Sequence, residues 1–335
     1  MAFCSSAATV EITKPTKIDD FDKDTLSVIT KLVGAKSLLN LSHTSKNMRN
    51  VCSGNLRLQN IHALIVGSQN INQTFPNGET LLSKAIESED KEYIELLIEH
   101  GANLSSCKHT NNLPKNMTIN GNIDLYRCKN LTQLPESFTV NGNIDLRGCT
   151  SLVQLPEDLT VNGNIDLLYC INLTQLPENL MVNGSLDLSG CINLRQLPEC
   201  FTIKKNIDLS GCSNLTRLPE GLTVNGGLNL ANCSNLTRLP EGLTVNGGLN
   251  LRNCTNLIQL PENLTINGSF DLSGCKNLTA LPEGLTINGS LYVSDCTRLT
   301  KLPIDLTING SLYVYDCNKL MDIPETLQVN GKIIY

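Results

Sequence analysis

The chain has 335 residues, of which 40% are hydrophobic and only 4% aromatic, with no Trp. That is enough apolar material for a sizeable core built from Leu, Ile and Val. A net charge of −6 argues against a nucleic-acid backbone or an anionic membrane as partner, since either calls for clustered Lys and Arg. No stretch approaches the roughly 18 apolar residues of a spanning helix. The N-terminus, Met1-Ala-Phe-Cys-Ser-Ser, has neither the basic start nor the apolar run of a signal peptide, so a soluble chain without a secretion leader is expected.

Residues 1–17 read as a disordered lead-in. Segment 18–56 reads as short helices, with Leu26, Ile29, Leu32 and Val33 on one stripe and Leu38, Leu39 and Leu41 starting another after Gly34. The segment resembles an F-box, through Leu26, Ile29, Leu32, Leu38, Leu41, Ser45, Lys46 and Val51. It departs from that pattern at Phe21-Asp22, where Leu-Pro is usual, and at Met48, where Trp is common. The resemblance implies docking on the Skp-type linker of a cullin ubiquitin ligase through Leu26, Ile29, Leu32, Leu38, Leu41, Lys46 and Met48. The alternative is a small helical cap for the neighbouring segment.

Segment 57–106 resembles about one and a half ankyrin repeats. Gly78-Glu-Thr-Leu-Leu-Ser-Lys-Ala-Ile86 and Ile94-Glu-Leu-Leu-Ile-Glu-His-Gly-Ala-Asn103 match one full unit, and residues 64–72 match the tail of another. So few units make no groove of their own. They are expected to cap the first unit of the longer repeat array C-terminal to them and shield its apolar end.

Segment 107–335 holds eleven units of 21 residues, each opening Leu-Pro (Ile-Pro in the last) from Leu113 onward. Apolar residues recur at unit positions 1, 5, 7, 11, 13 and 19, with Cys at 16, as in the unit Leu176–Gln196. Alternation around position 12, as in Leu186-Asp187-Leu188, marks a half-buried strand. Asn-Gly at positions 8 and 9 is expected to turn the chain, because both residues tolerate positive φ. Eleven of the fourteen cysteines, Cys107 to Cys317, sit 21 residues apart in one column, and only Cys4, Cys52 and Cys200 lie off it. A single column has no partner column, so free buried thiols are expected, and with them a reducing compartment.

Leu-x-Leu-x-x-Cys-x-x-Leu, carried in one unit by Leu186, Leu188, Cys191 and Leu194, resembles the leucine-rich-repeat signature. The short Leu-Pro-Glu unit resembles the LPX-type leucine-rich-repeat effectors of bacterial pathogens. The expected fold is therefore an α+β repeat protein, a small helical N-terminal region followed by a leucine-rich-repeat solenoid. A right-handed parallel β-helix is the alternative, because the Asn-Gly turn and the longer Cys-to-Leu spacing depart from the family. Lys204-Lys205 replaces Asn-Gly in one unit, where a changed turn is expected.

The outward positions are graded. Position 12 runs Asp124, Asp145, Asp166, Asp187, Asp208, then Asn229, Asn250, Asp271, then Tyr292 and Tyr313, and Tyr315 lies at position 14. The five aspartates read either as solvated duplicates or as an acidic strip for a basic partner. The tyrosines read as a hot spot for a protein target or as a cover for the last coils. No residues fall into a catalytic, metal-binding or cofactor-binding pattern, and the separate catalytic domain of LPX ubiquitin-ligase effectors is expected to be missing. The overall expectation is a non-enzymatic adaptor. Its F-box-like region would hold a ubiquitin ligase and its repeat face a protein target, in the cytoplasm or in a host cytosol reached by bacterial secretion. The alternative is a scaffold with one partner and no ligase.

Overall fold

The structure is a computed structural model and describes residues 71–72, 80–87, 89–99, 101–104, 110–321 and 323–335. The chain divides into two compact units, Met1–Thr74 and Phe75–Tyr335. The lead-in, the F-box-like residues Leu26, Ile29, Leu32, Leu38, Leu41, Lys46 and Met48, and Cys107 all lie outside the described residues.

The second unit starts with two helices, α1 (Leu81–Glu87) and α2 (Lys91–Glu99). Thr80 caps α1, its hydroxyl accepting the Ser83 N–H at 3.1 Å, and Asp90 caps α2 through the Tyr93 N–H at 3.2 Å. Gly101, at φ +87°, ends α2 in the left-handed conformation, and the Ala102 N–H reaches back to the Leu97 carbonyl at 2.9 Å. Tyr93, Ile94, Leu97 and Ile98 are buried.

The rest of this unit is a parallel β-solenoid with turns of 21 residues. Each coil carries two strands of two residues. The odd-numbered set runs from β1 (Thr118–Ile119) to β21 (Gln328–Val329), and the even-numbered set from β2 (Ile123–Asp124) to β22 (Ile333–Ile334). The even strands form one 11-stranded parallel sheet, each pairing its equivalent residue one coil on, as Ile144 with Ile165. At about 4.8 Å per strand that sheet is roughly 50 Å long. Bridges such as Gln196 to Arg217 mark a third flank. The odd-numbered strands add a second strand to the one per unit that the sequence indicated.

The core is the predicted one. Leu176, Leu180, Val182, Leu186, Leu188, Cys191 and Leu194, all of one unit, are each at most 6% exposed. Burying a Leu or Val side chain is worth roughly 1.5–3 kcal/mol, so each added coil is driven by its own inward face. The helices close one end. Glu95 Oε1 accepts the Thr118 N–H and Glu99 Oε1 accepts from Asn120 Nδ2, both at 3.0 Å, while Lys91 Nζ donates to the Asn116 carbonyl. Side chains of α2 thus occupy donors that an open strand edge would leave bare.

Two expectations about turns need correction. The Asn-Gly residues do not adopt positive φ; that conformation falls at position 15 in most coils, as at Gly190, Gly211 and Asn232, and at position 4 in some, as at Gly221. Gly is needed at position 9 because coils touch there: a Cβ on Gly247 would lie 2.7 Å from the Gly226 carbonyl carbon and the Gly227 nitrogen. Asn at position 8 is needed for a side-chain ladder, with Asn162 Nδ2 donating to Asn141 Oδ1 at 2.8 Å and Asn309 to Asn288 at 2.8 Å. At Lys204-Lys205 the turn itself is kept, but the Asn ladder is interrupted. The odd-strand column divides there into a five-stranded and a six-stranded sheet, between β9 (Thr202–Ile203) and β11 (Thr223–Val224).

The cysteine column is free and buried from Cys128 to Cys296, with Cys317 half-buried and Cys200 exposed. From Cys149 to Cys317 each thiol donates to the position-13 carbonyl of the preceding coil, as Cys212 Sγ to Leu188 O at 3.2 Å. Burial pushes the Cys170, Cys212 and Cys254 thiols up from 9.0 to about 12. Hydrogen bonding with Cys296 brings Cys317 down to about 7.

Gly247→Ala should destabilise the solenoid by about 1–3 kcal/mol, read from urea unfolding, because backbone lies where the methyl must go. The thiols give a second expectation. Their raised values favour the neutral form, so the stability they contribute is present below pH 9 and lost as pH climbs toward 12, and the melting temperature should fall over that interval. At neutral pH, iodoacetamide should label Cys200 and Cys317 well before the column from Cys128 to Cys296, as peptide mass spectrometry would show.

Candidate functional site

The even-strand sheet turns position 12 outward on every coil, so Asp124, Asp145, Asp166, Asp187 and Asp208 do form one continuous column, in register with Asn229, Asn250, Asp271, Tyr292 and Tyr313. Asp124 is exposed and the others are half-buried.

The carboxylates have a local task. One oxygen of each accepts the backbone N–H two residues on: Asp124 from Tyr126 at 2.8 Å, Asp187 from Ser189 at 2.8 Å, Asp208 from Ser210 at 2.8 Å, Asp271 from Ser273 at 2.9 Å. Asn229 and Asn250 do the same for Ala231 and Arg252. Asp or Asn is therefore what the strand-to-turn step asks for. Neither sequence expectation for the aspartates included this role, although the alternation of Asp with Asn at one position was a signal for it: a turn cap tolerates either and a charge strip does not.

The charge is also partly met. Arg147 Nε donates to Asp145 Oδ1 at 2.9 Å and its guanidinium lies 3.5 Å from Asp166. Hydrogen bonding and attraction by Asp145 raise the Arg147 pKa. Partial burial, followed by the neighbouring carboxylates of Asp187 and Asp145, raises the Asp166 pKa. The same guanidinium sits 5.1 Å from the centre of the Tyr126 ring.

Tyr292 and Tyr313 stand where the cap should be. Their rings stack at 4.5 Å between centroids and 8° between planes. Among the described residues the N–H groups of Ser294 and Tyr315, the ones a position-12 Asp would cap, make no hydrogen bond. Tyr315 is 41% exposed beside this pair, and Asp295 pairs with Lys276 at 3.1 Å. Tyr292 and Tyr313 are thus brought into contact, at positions where the coil itself favours another residue, and Tyr315 lies two residues after Tyr313.

Among the described residues no group of three or more His, Cys, Asp or Glu is arranged to hold a metal ion, and no helix is long and apolar enough to cross a membrane. A comparison with models of known protein families gives no match, and neither does one with curated proteins. The F-box-like, ankyrin-like and effector resemblances therefore rest on their own residues.

Removing one turn cap tests its structural role. Asp187→Ala should cost about 1 kcal/mol in thermal or urea unfolding, the worth of one such hydrogen bond. Asp187→Asn, which keeps the acceptor, should cost little.

Proposed function

We propose that the chain is a non-catalytic adaptor that binds a protein target on the outward strand face and centres that contact on Tyr292, Tyr313 and Tyr315. The observation that carries this reading is the exchange of Asp or Asn for Tyr at position 12. Coil formation explains the capping residues and is set back by the tyrosines, so their presence calls for another use. Stacked, rigid aromatic rings give contact area at small entropic cost, which is why Tyr is enriched where interface energy concentrates.

The five aspartates are a weaker contributor in this reading. Each has one oxygen committed to its own turn, and Arg147 neutralises part of the strip, leaving mainly a steering field for a basic partner. A reducing, cytoplasmic setting is supported by the column of free buried thiols. The F-box-like segment, through Leu26, Ile29, Leu32, Leu38, Leu41, Lys46 and Met48, makes a Skp-type linker of a cullin ubiquitin ligase the second proposed partner. The LPX-like repeats make a bacterial effector acting in host cytosol the proposed context.

Two variants of the full chain test the two halves. Tyr292→Ser, Tyr313→Ser and Tyr315→Ser together should abolish target capture and leave the fold intact; retained capture would show that the tyrosines only cover the coils. Leu26→Asp with Leu32→Asp should abolish binding to a purified Skp-type linker in a direct assay. Absent or unaffected binding there would leave a scaffold with one partner and no ligase.

A further inference from the structure

Position 10, the residue just before each even-numbered strand, carries another ladder. There a side-chain oxygen accepts the position-10 N–H of the next coil. Asn122 accepts from Asn143 at 2.7 Å, Asn143 from Asn164 at 2.8 Å and Asn164 from Ser185 at 2.8 Å. Beyond the middle of the solenoid, Ser269 accepts from Ser290 at 3.1 Å and Ser290 from Ser311 at 3.0 Å.

Two rungs are missing between these runs. Gly227 and Gly248 occupy position 10 and have no side chain to accept with. The N–H groups of Gly248 and Ser269, which those rungs would have taken, make no hydrogen bond among the described residues. The Gly268 N–H is also open, whereas Gly247, Gly289 and Gly310 each bond the coil before at 2.9–3.0 Å. The gap is a groove of about 450 Å³, floored by Gly227 and Gly248 and bounded by Asn206, Asn250, Ser269 and Asp271.

Backbone conformation does not require either glycine, although an added Cβ would fit tightly against the next coil. Neither has positive φ, and the nearest atom to an added Cβ is the Gly248 carbonyl at 3.3 Å or the Ser269 carbonyl at 3.1 Å. Ser fills the same position at 185, 269, 290 and 311. The groove and its open donors are thus a departure that the solenoid could have avoided by keeping Ser.

We infer that this groove binds a neutral oligosaccharide. Its floor offers donors on adjacent rungs, about 4.8 Å apart. Asn250, whose Oδ1 already holds the Arg252 N–H, offers Nδ2 beside them. Asp271, with one oxygen on Ser273, offers the other as an acceptor at the edge. A sugar hydroxyl both donates and accepts, so one ring can answer both kinds of group. Hydroxyls on alternate ring carbons are spaced close to the separation of the rungs. An extended peptide fits less well, because carbonyls facing one way recur only every second residue, roughly 6.6 Å apart. Anionic ligands meet Asp208 and Asp271 at the two ends of the groove. The inference uses none of the three tyrosines, so it stands or falls apart from the adaptor reading.

The test is a titration of the ¹⁵N-labelled full chain with maltotetraose, cellotetraose and chitotetraose, followed at the Gly248, Gly268 and Ser269 amides. A sulfated tetrasaccharide and a Gly-Ser peptide serve as rivals. At least one neutral tetrasaccharide should shift those amides saturably. Gly227→Ser with Gly248→Ser should restore the ladder, hold or raise the melting temperature, and weaken binding tenfold or more. Overturning outcomes are no shift at millimolar sugar, tighter binding of the peptide or the sulfated sugar, or unchanged affinity in the double variant.

Discussion

Each coil of the solenoid satisfies its strand backbone only by bonding to the coils on either side. The Leu146 N–H reaches the Asp166 carbonyl at 2.8 Å one coil on, and so on down the sheet. In-register parallel pairing sets every residue directly over its equivalent, about 4.8 Å away. The 21-residue period, the identical inward residues and the ladders of Asn, Cys and Ser all stem from that one geometric demand. An Asn over an Asn can donate and accept at once, and a Cys over a Cys can reach the same carbonyl in each coil. An end coil lacks one neighbour, which is why carboxylates of α2 stand in for a strand beside Thr118.

The inward half of this scheme was legible in the sequence because burial selects residue type. Positions 1, 5, 7, 11, 13, 16 and 19 announce themselves mostly as Leu, Ile, Val or Cys, and the structure buries nearly all of them before the last coil. The odd-numbered strands were not legible, since two residues are too few for alternation to show. The role of Asn-Gly was misread for a different reason. Gly serves both positive φ and close approach, and sequence cannot separate the two; here a missing Cβ, not a left-handed backbone, is what stacking requires. The aspartates were ambiguous in the same way, a carboxylate being at once a charge and a hydrogen-bond acceptor. The hydrogen bond from Ser189 to Asp187 shows the acceptor at work in the coil.

In a repeat whose positions are each fixed by a neighbour, a departure carries more information than a match. Lys204-Lys205 interrupts the Asn ladder, and the odd-strand column divides there while the even-strand sheet runs on unbroken. The outward face therefore stays continuous past the place where the odd-strand flank is cut. That face is one surface of eleven strands even though the coil beneath is not uniform.

Along that face the departures occupy neighbouring coils. Gly227 and Gly248 open the position-10 ladder, and Tyr292 and Tyr313 replace the position-12 caps a short step further on. Both give up hydrogen bonds that the remaining coils keep, and both leave N–H groups without a partner among the described residues. Each loss is small, on the order of 1 kcal/mol, because water can reach an open groove or an exposed turn. The buried positions beneath them, Leu228, Leu249, Phe270 and Leu291, remain at most 1% exposed. The core is thus held constant while outer hydrogen bonds are relaxed above it, so the outward positions vary independently of the inward ones.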